Sequence, residues 1–208
     1  MARAQEPVLQ FKITLRHIEP PIWRRIHVPL DYSCWDLHVA IQDAMGWFDC
    51  HPHLFRFTVK GKRKPLVIGL SFDDEDEEQV VPGWEVPVGN AFCQLGAAAI
   101  YEYDFGDGWQ HEVVLEGLMG REKGIKYPRC LAGERACPPE DCGGVPGYQH
   151  LLEIIRDPQH EEYKHTVAWV KTKIRQNYIY RPEEFHPDLV RFDNPKRRLK
   201  NLFGPLAR

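Results

Sequence analysis

Hydrophobic and polar residues alternate strictly from Leu9 to Arg16. Leu9, Phe11, Ile13 and Leu15 form one side of the pattern, and Gln10, Lys12, Thr14 and Arg16 the other. A period of two marks a half-buried strand, because successive side chains point to opposite faces. Pro20-Pro21 interrupts the alternation and IWRRIHV, from Ile22 to Val28, resumes it, so the two runs can open the fold as a hairpin. The period then changes. Ser33 with Asp36 three residues later has the form of a capping box, Leu37, Ile41, Ala44 and Met45 follow at helical spacing, and Gly46 supplies a stop. LFRFTV returns to strand alternation through Phe55, Phe57 and Val59. The order strand, strand, helix, strand matches the start of a β-grasp arrangement, in which a helix packs across a mixed sheet.

A further strand pair is expected around YEYDFGDGWQHEV, Tyr101 to Val113, followed by a Gly/Pro/Cys-rich connection from Gly124 to Gly147. Beyond it the pattern is helical. Tyr148, Leu151, Leu152 and Ile155 lie on one helical face that Asp157-Pro158 ends, and Tyr163, Val167, Val170 and Ile174 suit a second helix. Asn194-Pro195 has the form of an N-cap and first helical residue, with Gly204 past the end. These elements predict an α+β fold in one domain: a mixed or antiparallel sheet with an N-terminal β-grasp-like ββαβ unit, and a helical C-terminal part. Residues 8–120 form the sheet-rich part, 121–147 a Cys/Pro/Gly loop and 148–208 the helical part.

The chain has 208 residues, 43% of them hydrophobic, which is enough for a substantial core. MARAQEPVLQF has no apolar leader, and no stretch approaches the roughly eighteen apolar residues of a membrane span. A soluble, cytoplasmic protein is expected. Six cysteines without a secretion signal read as reduced thiols unless some hold a metal. The net charge of -3 gives the whole chain no pull on a phosphate backbone. Its distribution is uneven. Asp73 to Glu78 is an acidic run that should lie in a solvated loop, whereas Asp193 to Arg208 carries five Lys/Arg against one Asp, a local +4.

Candidate chemistry follows from spacing. If Asp107-Gly108 is a two-residue type I′ loop, Asp104 faces His111 across the hairpin, and Tyr101, Tyr103 and Phe105 line the opposite face. A carboxylate behind an imidazole fixes its tautomer and raises its basicity, so Asp104 and His111 are the catalytic candidates. The same pair can equally be a hydrogen bond at a sheet surface. Cys130, Cys137 and Cys142, with His111 or His53 as a fourth ligand, could hold zinc, although free cysteines are also common core residues. Asp104, Asp107, Glu140 and Asp141 offer oxygen ligands for a divalent ion, or Glu140 and Asp141 simply cap the local backbone. His51 and His53 flank Pro52 at a spacing that can chelate, yet the proline places them at a loop. Arg24 and Arg25 beside Trp23 point to opposite faces of a strand and do not make one patch. Lys196, Arg197, Arg198 and Lys200 form the basic side of a short C-terminal helix that could contact DNA or a protein partner, or merely face solvent.

The hairpin, together with PPIWRRIHVP, AMGWFDCHPHLFRF and YPRCLAGERACPPEDCGGVPGY, resembles the plasmid pRiA4b ORF-3-like family, some of whose members are labelled resolvase-like passenger proteins of insertion elements. The resemblance runs from Val8 to Phe203. It implies a compact α+β domain of mobile-element-associated type and implies no chemistry. The chain contains no serine-recombinase pattern, Walker loop or HExxH pair. Three readings follow: an accessory binding module that contacts nucleic acid or a protein, a metal-dependent and hydrolytic enzyme centred on Asp104 and His111, and a zinc-stabilised interaction domain. The first is the expectation carried forward.

Overall fold

The computed structural model describes residues 7–58, 61, 64–70, 79–175 and 179–204. The acidic run from Asp73 to Glu78 and the terminal Arg208 lie outside them. Eight strands form one sheet: β1 (Val8–Leu15), β2 (Ile22–Pro29), β3 (His53–Phe57), β4 (Leu66–Leu70), β5 (Val80–Pro82), β6 (Ala98–Tyr103), β7 (Trp109–Met119) and β8 (Arg129–Glu134). Their order is β5-β4-β3-β6-β7-β1-β2-β8, antiparallel throughout except for the β4/β5 pair. The helices are α1 (Cys34–Met45), α2 (Val88–Ala91), α3 (Gly144–Arg156), α4 (Tyr163–Val170) and α5 (Pro195–Phe203).

The alternation in β1 does what its pattern requires. Leu9, Phe11, Ile13 and Leu15 are all buried, facing the inner residues of β2 on one side and of β7 on the other. Each such side chain contributes roughly 1.5–3 kcal/mol when fully buried. In β2 the neighbouring arginines separate as the pleat demands: Arg24 is buried, and Arg25 pairs on the outer face with Glu116 at 2.6 Å. The mixed α+β sheet is as expected, and the β-grasp detail is not confirmed. The β1–β2 hairpin, α1 and β3 follow in order, but β6 and β7 stand between β3 and β1. Local order cannot reveal strands that arrive later and insert between earlier ones. β8 is a second departure, since it runs through the stretch expected as loop. It forms on the free edge of β2 by backbone pairing, with half-buried residues and no strong alternation to announce it.

Helix α1 starts and stops where the sequence places its signals. The Ser33 hydroxyl accepts the Asp36 N–H at 3.2 Å, Asp36 accepts the Ser33 N–H at 2.8 Å, and Gly46 takes a left-handed φ of 92°. The helix is buried nearly all round because the sheet covers one side and the C-terminal segment the other. Trp35 donates its indole N–H to the Pro195 carbonyl at 3.0 Å. Asp43, whose side chain has no exposed surface, accepts from Arg198 at 2.7 Å, pairs with Arg175, and accepts the Asp193 N–H at 2.7 Å. Arg198 also donates to Asp49 at 3.2 Å. Burial alone would raise the Asp49 carboxyl, but His38 and Arg198 prevail and hold it below the usual range. Among the described residues no helix is long and apolar enough to cross a membrane.

Replacing Arg198 by Ala leaves Asp43 with Arg175 and one backbone N–H, and Asp49 with His38. The variant should lose about 3 kcal/mol, the lower end for removing one partner of a buried ion pair. Lys200→Ala, on the exposed side of the same helix, should stay within about 0.5 kcal/mol. Urea unfolding midpoints of the two variants check the contrast.

Candidate functional site

Strands β6 and β7 are joined by residues 104–108, five residues where two were expected. Tyr103 pairs with Trp109, Glu102 with Gln110 and Tyr101 with His111, so Asp104 does not face His111. Tyr101, Tyr103, Trp109 and His111 share the buried inner face, while Phe105 lies in the turn with its ring partly exposed. The physical reason is local. Asp104 adopts φ 55° and its Oδ1 accepts the N–H groups of Gly106 at 3.1 Å and Asp107 at 3.2 Å. The side chain thus builds the turn around itself. Gly108 has a positive φ and Asp107 does not, so the pair of left-handed residues that a type I′ loop needs is not formed.

His111 is completely buried, with Nδ1 3.4 Å from the Tyr101 carbonyl and Nε2 without a partner among the described residues. Burial pushes its pKa down to about 3. His53 stacks on His38 with ring centres 3.4 Å apart, and burial lowers it well below its ordinary value. Cys137 is buried and its thiol is raised by that burial, while burial pushes Cys142 up to about 12 and Cys130 up to about 11. Among the described residues, none of Cys130, Cys137, Cys142, His111 and His53 belongs to a group of three such ligands with donor atoms within 4.8 Å of one another. On α5, Arg198 turns inward and Arg197 pairs with Asp193, so among the described residues only Lys196 and Lys200 of the basic set carry no ion pair.

A different set does converge. The Cys50-His51 segment before β3, the 104–108 turn and the loop from Pro138 to Gly144 meet at one end of the sheet. His51 Nε2 lies 2.9 Å from Asp141 Oδ1 and 3.6 Å from Asp104 Oδ2. Lys173, just after α4, donates to Asp141 Oδ2 at 2.5 Å. Beneath them sits Glu140, 1% exposed, whose Oε1 accepts the Phe48 N–H at 2.7 Å and the Tyr103 hydroxyl at 3.0 Å. The loops touch because two glycines permit it. Gly143 donates its N–H to Asp107 Oδ2 at 3.1 Å, and a Cβ on Gly144, at φ 65°, would lie 2.3 Å from the Asp107 carbonyl oxygen. Trp47 fastens the same loop from below by donating to the Pro138 carbonyl at 2.9 Å.

The electrostatics follow from these contacts. The Lys173 ammonium, ahead of the opposing effect of burial, holds the Asp141 carboxyl below its usual range. Burial pushes Glu140 up, and burial with the nearby Glu140 raises the Cys50 thiol. Among the described residues, two groups of three donors have their ligand atoms within 4.8 Å of one another: His51, Asp104 and Asp141, and Cys50, His51 and Glu140. Of the oxygen ligands considered from sequence, Asp104 and Asp141 share one of these groups and Glu140 falls in the other, with Asp107 holding the loop. His51 joins them although its spacing pairs it with His53. The readable signal was Glu140-Asp141 set between Pro138-Pro139 and Gly143-Gly144. Lys173 had no signal.

Comparison with known proteins agrees with this architecture. The chain matches the family model described as "Plasmid pRiA4b ORF-3-like protein" over residues 7–189. It is 36% identical over 163 residues to the uncharacterized protein y4hQ of Sinorhizobium fredii, covering 78% of this chain and 80% of that one. Among solved structures it is similar to a protein of unknown function, MM3350, from Methanosarcina mazei Go1, with a TM-score of 0.77 and 40% identity over 90% of this chain and 99% of the other.

The neutral His111 has a consequence for stability. The unfolded chain takes up a proton as pH falls below the ordinary value of 6.5, whereas the folded chain does not until about 3. The contribution is therefore fully present above 6.5 and is lost as pH falls towards 3, at about 1.4 kcal/mol per pH unit in mid-window. His111→Gln should reduce the slope of unfolding free energy against pH by one proton. Urea titrations at pH 7, 6 and 5 measure it.

Proposed function

Because the chain belongs to the plasmid pRiA4b ORF-3-like family, and the names of its matched relatives state no chemistry, we infer function from the site itself and propose a metal-dependent role, with a divalent ion held by His51, Asp104 and Asp141. The observation that carries this is the convergence of one imidazole nitrogen and two carboxylate oxygens, from three separate segments, within 4.8 Å. Donors to one ion bind at about 2.0–2.2 Å, so the group needs little rearrangement to close on it. Imidazole with two carboxylates suits zinc, manganese or magnesium. Such an ion, when bound, would act as a Lewis acid on a bound carbonyl or phosphoryl oxygen, or lower the pKa of a water ligand.

This chain's own residues prepare the site. The Gly106 and Asp107 N–H groups hold Asp104 Oδ1, leaving Oδ2 directed towards His51. Lys173 neutralises Asp141 and competes with an incoming cation for the same carboxylate. The hydrolytic reading built on Asp104 therefore takes His51, and not His111, as its imidazole. A DNA contact through α5 has less support. Arg198 is committed to Asp43 and Asp49, and Arg197 to Asp193, which leaves Lys196 and Lys200.

Purified protein should take up one divalent ion per chain in calorimetric titration with manganese. His51→Ala and Asp104→Asn should each weaken that binding at least tenfold, an effect of about 1.4 kcal/mol. Lys173→Met should tighten it, by up to about fivefold for loss of one exposed ion pair. A wild-type chain that binds no divalent ion, or variants that bind as well as it does, would remove the metal from the account.

A further inference from the structure

The second group of donors changes which ion the site should prefer. Cys50 Sγ, a His51 nitrogen and a Glu140 oxygen lie within 4.8 Å of one another, and His51 belongs to both groups. We propose that Cys50 and Glu140, with His51, form an inner zinc position of the same site and that the Cys50 sulfur sets its metal selectivity. The inference rests on the metal-dependent reading above and goes beyond it by naming the ligands and class of ion.

Glu140 supplies an observation independent of the spacing. It is 1% exposed, and its Oε1 is doubly satisfied by the Phe48 N–H and the Tyr103 hydroxyl. Its Oε2 is buried and has no hydrogen-bond partner among the described residues. A buried carboxylate oxygen left bare is costly, and such groups in folded proteins call for an explanation. A cation in contact with that carboxylate is one, and a thiol and an imidazole lie within 4.8 Å of one of its oxygens. The Tyr103 hydroxyl ties the parts together: it accepts the Cys50 N–H at 3.2 Å while donating to Glu140. One buried phenol therefore positions the backbone of the cysteine and the carboxylate of the glutamate towards each other.

The two groups differ in softness. His51, Asp104 and Asp141 present nitrogen and oxygen only, which manganese and magnesium accept. Thiolate, imidazole and carboxylate together suit zinc, and a hard ion gains little from the sulfur. Three protein ligands also leave a fourth tetrahedral position open to water or substrate, the arrangement of reactive rather than purely structural zinc. Binding replaces the proton on the Cys50 sulfur with the metal, so one proton leaves to solvent for each ion taken up. Because His51 serves both groups, an ion in the inner position draws its imidazole away from Asp104 and Asp141.

Cobalt is the probe of the inner position, because it takes zinc sites and reports sulfur ligation by a thiolate-to-metal charge-transfer band in the near ultraviolet. The wild-type chain loaded with cobalt should show that band, and Cys50→Ser should abolish it. Cys50→Ser should also weaken zinc binding at least tenfold while leaving manganese binding within about twofold. Glu140→Gln, which keeps an oxygen for the Phe48 and Tyr103 bonds, should weaken zinc binding with the band retained. A cobalt complex without the band, or Cys50→Ser binding zinc as tightly as wild type, would overturn the inner position and leave the ion on His51, Asp104 and Asp141. Asp104→Asn binding manganese as tightly as wild type would sink the wider reading instead, so the two failures are distinct.

Discussion

The Asp104 carboxylate accepts the N–H groups of Gly106 and Asp107, and these two bonds set the geometry of the β6–β7 connection. A turn built on the aspartate's own side chain takes five residues out of the strands and shifts the pairing, so that His111 meets Tyr101 and not Asp104. Every inner side chain of β6 and β7 follows from that register, since a slip of one residue exchanges the faces of a strand. The same turn delivers Asp104 Oδ2 to His51 and gives Asp107 its contact with Gly143. The end of the sheet where the donors gather therefore exists because one aspartate terminates the hairpin.

Behind that turn the core is more polar than its hydrophobic pattern suggests. His38 donates its Nε2–H to the Asp49 carboxylate at 2.7 Å and has its Nδ1 2.8 Å from the Tyr101 hydroxyl, Gln42 donates to the same hydroxyl at 2.9 Å, and Asp49 leads on to Arg198 and Asp43. Buried charges persist only when paired and hydrogen-bonded, and this chain of contacts provides the pairing. It also explains why the basic C-terminal helix is not a free arm. Its Arg198 lies within the network that closes the second side of α1, so its charge answers Asp43 and Asp49 rather than an external anion.

The family match and the similarity to MM3350 place this fold in company whose names state no activity, so chemistry has to come from side chains. Those side chains lie on loops at one end of a rigid sheet, where a scaffold can hold donors from distant parts of the chain without ordering them afresh. Pro138-Pro139, Gly143-Gly144 and the Trp47 bond to the Pro138 carbonyl hold the Glu140-Asp141 loop against the 104–108 turn.

Much of the fold was legible from short-range pattern. The alternation in β1 and β2, the capping box and glycine stop of α1, the proline that follows α3 and the Asn194 cap of α5 are each decided by a few neighbouring residues, and each appears where the pattern puts it. The edge strand β8, with weak alternation, and the insertion of β6 and β7 between β3 and β1 depend on which edges remain free in three dimensions, and no local pattern encodes that. The candidate site divides the same way. Sequence brought forward Asp104, Glu140 and Asp141 as carboxylates on constrained turns, because Pro and Gly restrict or free the backbone locally. That His51 meets them, that His111 is sealed in the core, and that Lys173 reaches Asp141 were decided only by the tertiary structure: these contacts span tens of residues, and only closing of the sheet fixes their distances.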